Sequence, residues 1–165
     1  MYLLVIFSLF LNSNAFTHVN KGNYRNLKNI FMVNDKQVLV AGNWKLNNDF
    51  ETSKKLAAEV VALTRNTKQD VEICLIPPHP FLRIVGDQIK GHSNIKLGAQ
   101  AAWYEEKGAF TGAISVGQLK SVGCEYVVVG HSERRKIFGE TDEIVNKIVK
   151  AVIKEGLKPI LCIGN

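Results

Sequence analysis

The stretch VLVAGNWKLNN, residues 38–48, decides how the rest of the chain is read. Its first five residues are apolar or small on successive positions, and then one Gly leads into a polar turn that carries a lysine. Continuous apolar runs of this kind suit strands buried on both faces, as in a parallel sheet. Four more follow: VEICLI (71–76), IKLGA (95–99), YVVVG (126–130) and PILCIG (159–164), with starts 33, 24, 31 and 33 residues apart along the series.

Helical patterns fill the gaps. After Asn48-Asp49, plausible caps, FETSKKLAAEVVAL sets Leu56, Val60 and Leu63 on one face. PFLRIVGDQI begins with Pro80 in the tolerated first turn and carries Phe81, Ile84, Val85 and Ile89. Thr141 is placed to cap DEIVNKIVKAVIKEG, in which acids open the helix, Ile144, Ile148 and Val152 form the stripe, and Gly156 ends it. Repeated strand–helix units predict an α/β fold with right-handed crossovers. An open dinucleotide-binding sheet needs a Gly-rich turn after its first strand. GNWKLNN has one Gly and cannot form a GxGxxG cradle, and the chain contains no GxxxxGK[ST] either. The fold expected is therefore an eightfold βα-barrel, of which these residues supply roughly four βα units and a fifth strand.

In such a barrel the C-terminal ends of the strands converge on one mouth, where chemistry is done. The first strand ends in Gly42-Asn43-Trp44-Lys45 and the fourth in Gly130-His131. A lysine there would bind an anion and stabilise developing negative charge; a solvated surface lysine is the plain alternative. His131 precedes Ser132-Glu133-Arg134-Arg135, which reads as a short helix start. The partial positive charge of a helix N-terminus disfavours imidazolium, and a neutral imidazole can donate a hydrogen bond to a carbonyl. The alternative is a satisfied core histidine. Glu133 is either a surface charge or the partner of the lysine ammonium, and spacing leaves both open.

The 165 residues carry a formal charge of +6. Residues 1–37 hold four of the 21 basic and one of the 15 acidic residues, so the body keeps 17 against 14. That small excess does not support nucleic-acid binding. YLLVIFSLFL (2–11) is about half a bilayer span, and Ser13-Asn14-Ala15 follows with small residues at a signal-peptidase-like spacing. A buried strand or helix of the fold is the other reading of this block. The polar, Asn- and Lys-rich sequence after it argues against that. Residues 1–15 are thus expected to be signal-peptide-like, 16–37 a basic transit-like or disordered segment, and 38–165 the partial barrel. Such a two-part leader suits the secretory route into an apicoplast-like plastid; a cytoplasmic or secreted protein is the alternative. No stable membrane anchor is expected. Cys74, Cys124 and Cys162 lie in apolar runs without paired spacing and read as small buried hydrophobes.

AGNWKLN, GAFTGAIS, VVVGHSERR, FGETDEIV and LCIG together resemble the triosephosphate isomerase family, in its order and spacing, over about residues 37–164. The resemblance implies a (β/α)8 TIM barrel that interconverts dihydroxyacetone phosphate and glyceraldehyde 3-phosphate through an enediolate, with no cofactor and no metal. Asn43 and Lys45 would bind substrate, His131 would be the neutral electrophile described for this family, and Glu133 a carboxylate supporting the lysine. It also implies a homodimer in which the loop AAWYEEKGAFTGAI enters the neighbour's site, Thr111 being the residue that reaches across. Ala113 stands where the family usually has an acid that pairs across the dimer with the arginine matched by Arg134, which leaves Glu140 as that arginine's partner. The family's catalytic glutamate, closing loop and phosphate-gripping loops come from strands six to eight. These residues are expected to be a shortened piece of a longer isomerase, inactive alone. A non-catalytic half-barrel remnant and a secreted interaction protein are the alternatives.

Overall fold

The computed structural model describes residues 3–8, 38–64 and 71–163, with the side chains of 3–8 excluded. Among the described residues, six strands, all parallel, lie in one sheet in chain order: β1 (Leu3–Ser8), β2 (Val38–Asn43), β3 (Val71–Ile76), β4 (Ile95–Ala99), β5 (Cys124–Val129) and β6 (Lys158–Leu161). Between them run α1 (Phe50–Thr64), a 3₁₀ turn (His79–Phe81) leading into α2 (Leu82–Ile89), α3 (Val116–Ser121), α4 (Ser132–Phe138) and α5 (Asp142–Lys154).

Two apolar clusters lie on opposite sides of the sheet. On one side Leu75, Leu97, Ala99, Val127 and Val129 meet helical residues that include Ala57, Val85, Leu119, Ile148 and Val152. On the other, Leu39, Ala41, Cys74, Ile76, Tyr126, Val128 and Ile160 pack together, and every one of them comes from a strand. A sheet covered by helices on one face, whose other face is buried by its own strands, is the wall of a βα-barrel. The doubly buried strands explain the unbroken apolar runs.

Gly98 shows how tightly the inner face is packed. It sits where the β4–β5 register shifts. A Cβ added there would stand 2.7 Å from Cys74 Sγ, 2.9 Å from Ile76 Cγ1 and 3.4 Å from Tyr126 Cβ. Glycine leaves room for the Cys74 and Ile76 side chains of β3 against β4. Below it, Tyr126 Oη donates to Glu72 Oε2 at 2.6 Å, and Lys158 Nζ reaches the same hydroxyl at 3.2 Å. Cys74 is fully buried and Cys124 4% exposed. Burial pushes the Cys124 thiol up to about 12 and Cys74 well above its usual range, so both are inert hydrophobes.

Three details depart from the sequence reading. In α1 the buried residues are Ser53, Ala57 and Val61, whereas Leu63 is 75% exposed. The small Ser53 and Ala57 take the buried side of α1, which lies close against α2, so the buried stripe falls about one residue from the one expected. Second, α3 fills a gap that showed no helical period, because six residues are too few to show one. Its signature is instead a capping box in which Ser115 Oγ accepts from Gln118 N and Gln118 Oε1 accepts from Ser115 N. Third, Leu3–Ser8, argued above not to belong to the fold, forms an edge strand in unbroken register with β2, from Leu3 opposite Val38 to Ser8 opposite Asn43. The edge of β2 offers a row of unpaired backbone groups, and an extended apolar segment satisfies them. Residues 9–37, with the small-residue step and the basic stretch, lie outside the described residues. Among the described residues, no helix is long and apolar enough to cross a membrane.

Candidate active site

The site is built at the ends of β2, β4 and β5. At the end of β2, Asn43 is 4% exposed, and its Oδ1 accepts the backbone N–H of Lys45 at 3.0 Å. Trp44, 2% exposed, donates its backbone N–H to Ile76 O at the end of β3, 3.0 Å away. Lys45 then takes φ 56°, in the left-handed region. A side chain with a Cβ pays roughly 1–3 kcal/mol there, so surrounding contacts must hold it. That turn sends the Lys45 side chain across the mouth to β5 and α4. Its Nζ lies 2.9 Å from His131 Nε2 and 2.8 Å from Glu133 Oε1.

His131 is placed as firmly. β5 ends at Val129, Gly130 turns at φ 67°, and His131 becomes the N-cap of α4. Its Nδ1 accepts the backbone N–H of Glu133 at 3.2 Å. Arg135 ties the turn down, with Nε on Gly130 O at 2.8 Å and Nη1 on Asp142 Oδ1 at 2.6 Å. An acceptor Nδ1 places the proton of a neutral ring on Nε2. Lys45 Nζ stands 2.9 Å from Nε2, so in this tautomer two donors face each other, a contact that a bound oxygen coming between them and accepting from both would replace.

Electrostatics favour the neutral ring. Burial, and then the charge of Lys45, push His131 below the usual histidine value of 6.5, with Glu133 pulling the other way. The sequence reading gave the helix end as the cause. Here burial and the lysine come first, and the helix acts through the N–H donated to Nδ1. The Lys45 hydrogen bond, with smaller help from the lysine's charge, holds the Glu133 carboxyl below its ordinary range. Glu133 is 53% exposed on its side chain and Lys45 only 21%, so the carboxylate anchors the ammonium from the solvent side.

Four of the five site residues taken from the sequence therefore form one hydrogen-bonded group: Asn43, Lys45, His131 and Glu133. Asn43 faces the lysine backbone. Thr111 stands apart, exposed in the turn of the loop that follows β4. In that loop Trp103 N–H donates to Ile114 O at 2.8 Å, and the Trp103 ring lies 4.3 Å from Tyr104 and 6.0 Å from Phe110. Arg134 Nε binds Glu140 Oε1 at 2.8 Å, and its guanidinium lies over the Phe138 ring at 4.4 Å.

One member of the group escaped the sequence reading. Gln100 Nε2 donates to Lys45 O at 2.8 Å and to Ile76 O at 3.2 Å. The signal was present: Gln100 directly follows IKLGA, at the end of a strand, like Lys45 and His131. Among the described residues, no three His, Cys, Asp or Glu side chains gather as a metal site.

Residues 38–165 match the family model described as triosephosphate isomerase. Curated relatives named triosephosphate isomerase include those of Chlorobium luteolum, 46% identical over 129 residues, and Caldanaerobacter subterraneus, 47% identical over 129 residues. Each of these alignments covers 78% of this chain and 51% of the relative. The protein of Aquifex aeolicus is 44% identical over 126 residues, 76% of this chain and 50% of that one. The chain thus spans about half the length of the relatives it matches. With five motifs in order, a parallel barrel wall and a family model matching the whole barrel portion, the chain belongs to the triosephosphate isomerase family.

Proposed function

We propose that this chain supplies the electrophilic half of a site that interconverts dihydroxyacetone phosphate and glyceraldehyde 3-phosphate through an enediolate. One observation carries the reading: Lys45 Nζ and His131 Nε2 meet 2.9 Å apart at the strand ends, so that, with the ring proton on Nε2, an oxygen entering between them would accept from both. When a proton leaves carbon next to a carbonyl, negative charge collects on the carbonyl oxygen. An oxygen at that point would receive a cation and a neutral hydrogen bond, and a single such donor is worth about 10²–10³ in rate. Glu133 is committed to Lys45 and is a poor candidate for the carbon base. Family resemblance assigns the base to a carboxylate on a later strand.

The test is calorimetric titration with 2-phosphoglycolate, whose carboxylate copies the paired oxygens of an enediolate. Lys45→Met is expected to weaken binding by about tenfold to a hundredfold, the worth of one charged hydrogen bond. Equal binding by the two proteins overturns the proposal.

A homodimer forms part of this reading. Leu46, Phe110, Ile137 and Phe138 are large apolar side chains with exposures of 98, 42, 72 and 64%. They lie in the loops and short helix near the strand ends, as an interface would require. For localisation, the apolar block, the small residues 13–15 and the basic stretch to Lys36 support a two-part leader directing the protein to a plastid, in which case cleavage gives up the pairing of Leu3–Ser8 with β2. N-terminal sequencing of the protein from cells tests this, and an intact Met1 would refute cleavage.

A further inference from the structure

We infer that Gln100 is a positioning residue: its carboxamide, bridging Lys45 O and Ile76 O, fixes the left-handed backbone of Lys45 and so aims the lysine at His131. The two flanking peptide groups of Lys45 have different holders. Asn43 Oδ1 takes the N–H at 3.0 Å, and Gln100 Nε2 takes the C=O at 2.8 Å. The same Nε2 reaches Ile76 O at 3.2 Å, and Ile76 O also accepts the Trp44 N–H at 3.0 Å. One side-chain nitrogen thereby ties the turn after β2 to the end of β3. It is carried on the end of β4 behind Ala99, which is fully buried. Asn43 acts on the near side of the turn and leaves its exit free. Without Gln100, Lys45 O loses the donor that keeps φ at 56°, and relaxation to an ordinary backbone angle would swing the side chain off His131.

The inference takes its catalytic meaning from the function proposed above, but its test needs no substrate, so the two fail separately. The His131 ring is titrated by NMR in the whole chain and in Gln100→Met, which keeps the length and volume and removes the donor. The His131 titration is expected to move upward, towards that of an ordinary histidine, because the lysine charge has withdrawn. In a Lys45→Met background, Gln100→Met is expected to add nothing. A loss of thermal stability with an unmoved His131 titration would reduce Gln100 to a structural tie and overturn the inference. So would an equal shift with Lys45 absent. Should Gln100→Met fail to fold, solvent exchange of the Gln100 carboxamide protons in the unmodified chain decides. Slow exchange supports the bridge, and exchange as fast as that of a free glutamine refutes it.

Discussion

Gly98→Ala is the most demanding perturbation of the barrel wall. One methyl group is added at a point where Cys74 Sγ lies 2.7 Å and Ile76 Cγ1 2.9 Å from the new carbon. Ordinary contact begins near 3.4 Å, so the sulfur must retreat by about 0.7 Å and the isoleucine by about 0.5 Å. Neither has room, since Cys74 is 0% and Ile76 1% exposed. Overpacking of this kind costs about 1–3 kcal/mol, and the reduced freedom of the unfolded chain returns about 0.4–1 kcal/mol. A net loss of about 1–2 kcal/mol is expected, read as a lower urea midpoint with an unchanged slope. Gly86→Ala is the internal control. In α2 the new methyl meets only Leu97 Cδ2 at 3.3 Å and Val122 O at 3.6 Å, and alanine is the better helix former by about 0.8–1 kcal/mol. This variant should be neutral or stabilised. Adding Cys74→Ala to Gly98→Ala removes the closer contact and should give a favourable coupling of about 0.5 kcal/mol or more. Shifts of one sign in both glycine variants, or no coupling with Cys74→Ala, would refute the packing argument. The substitution also bears on function, because Ile76 O holds both Trp44 N–H and Gln100 Nε2.

His131 makes stability depend on pH. Its pKa is lowered by folding, so below about 6.5 the unfolded chain takes a proton that the folded chain refuses. The contribution of this group is complete above 6.5 and is lost as pH falls through that value towards the folded pKa. Urea midpoints should therefore drop on acidification from pH 7, and in Lys45→Met the His131 part of that drop should shrink. The Arg134–Glu140 pair should respond asymmetrically. Glu140 is 6% exposed on its side chain and Arg134 35%. Arg134→Ala strands a buried carboxylate and should cost about 3–5 kcal/mol. Glu140→Ala leaves a guanidinium that can turn to water and should cost about 1–2 kcal/mol; unfolding curves in the reverse order would contradict this. Thr141 Oγ1 accepts Ile144 N–H at 3.4 Å at the start of α5. Thr141→Ala should lower stability by about 0.5–1 kcal/mol and Thr141→Asp by much less, as thermal melting would show.

The parts of the fold that were readable in the sequence were those set by double burial. VEICLI and IKLGA coincide with β3 and β4 because nothing but apolar or shielded residues fits a strand covered on both faces. Helix α5 was readable through its cap, its acidic first turn and its terminal glycine. What stayed hidden depends on distance and not on composition. Leu63 looks like a core residue until the small Ser53 and Ala57 take the buried side of α1 and leave it exposed. Helix α3 is too short for a period. Leu3–Ser8 carries a composition that a leader and an edge strand share, and only the vacant edge of β2 distinguishes them. In the site, Lys45 and His131 followed from the rule that strand ends meet. Gln100 obeys the same rule, but its carboxamide serves two carbonyl groups whose convergence no spacing reveals. The lysine's backbone angle was equally invisible, for it arises from contacts with three separate strand ends.

Among the described residues, each strand of the sheet pairs only with its neighbours in sequence. On a ribosome, every new βα unit therefore finds its docking surface already made, and the wall can grow in the direction of synthesis. The functional group does not share that convenience. Lys45 and His131 are 86 residues apart, which at about 5–20 residues per second is roughly 4–17 s of translation. For that interval the lysine emerges with neither the histidine nor Glu133 to receive it, and Gln100, the residue that sets its backbone, is made partway through. Time of arrival thus orders the site: the turn at β2 first, its clamp next, and its chemistry last.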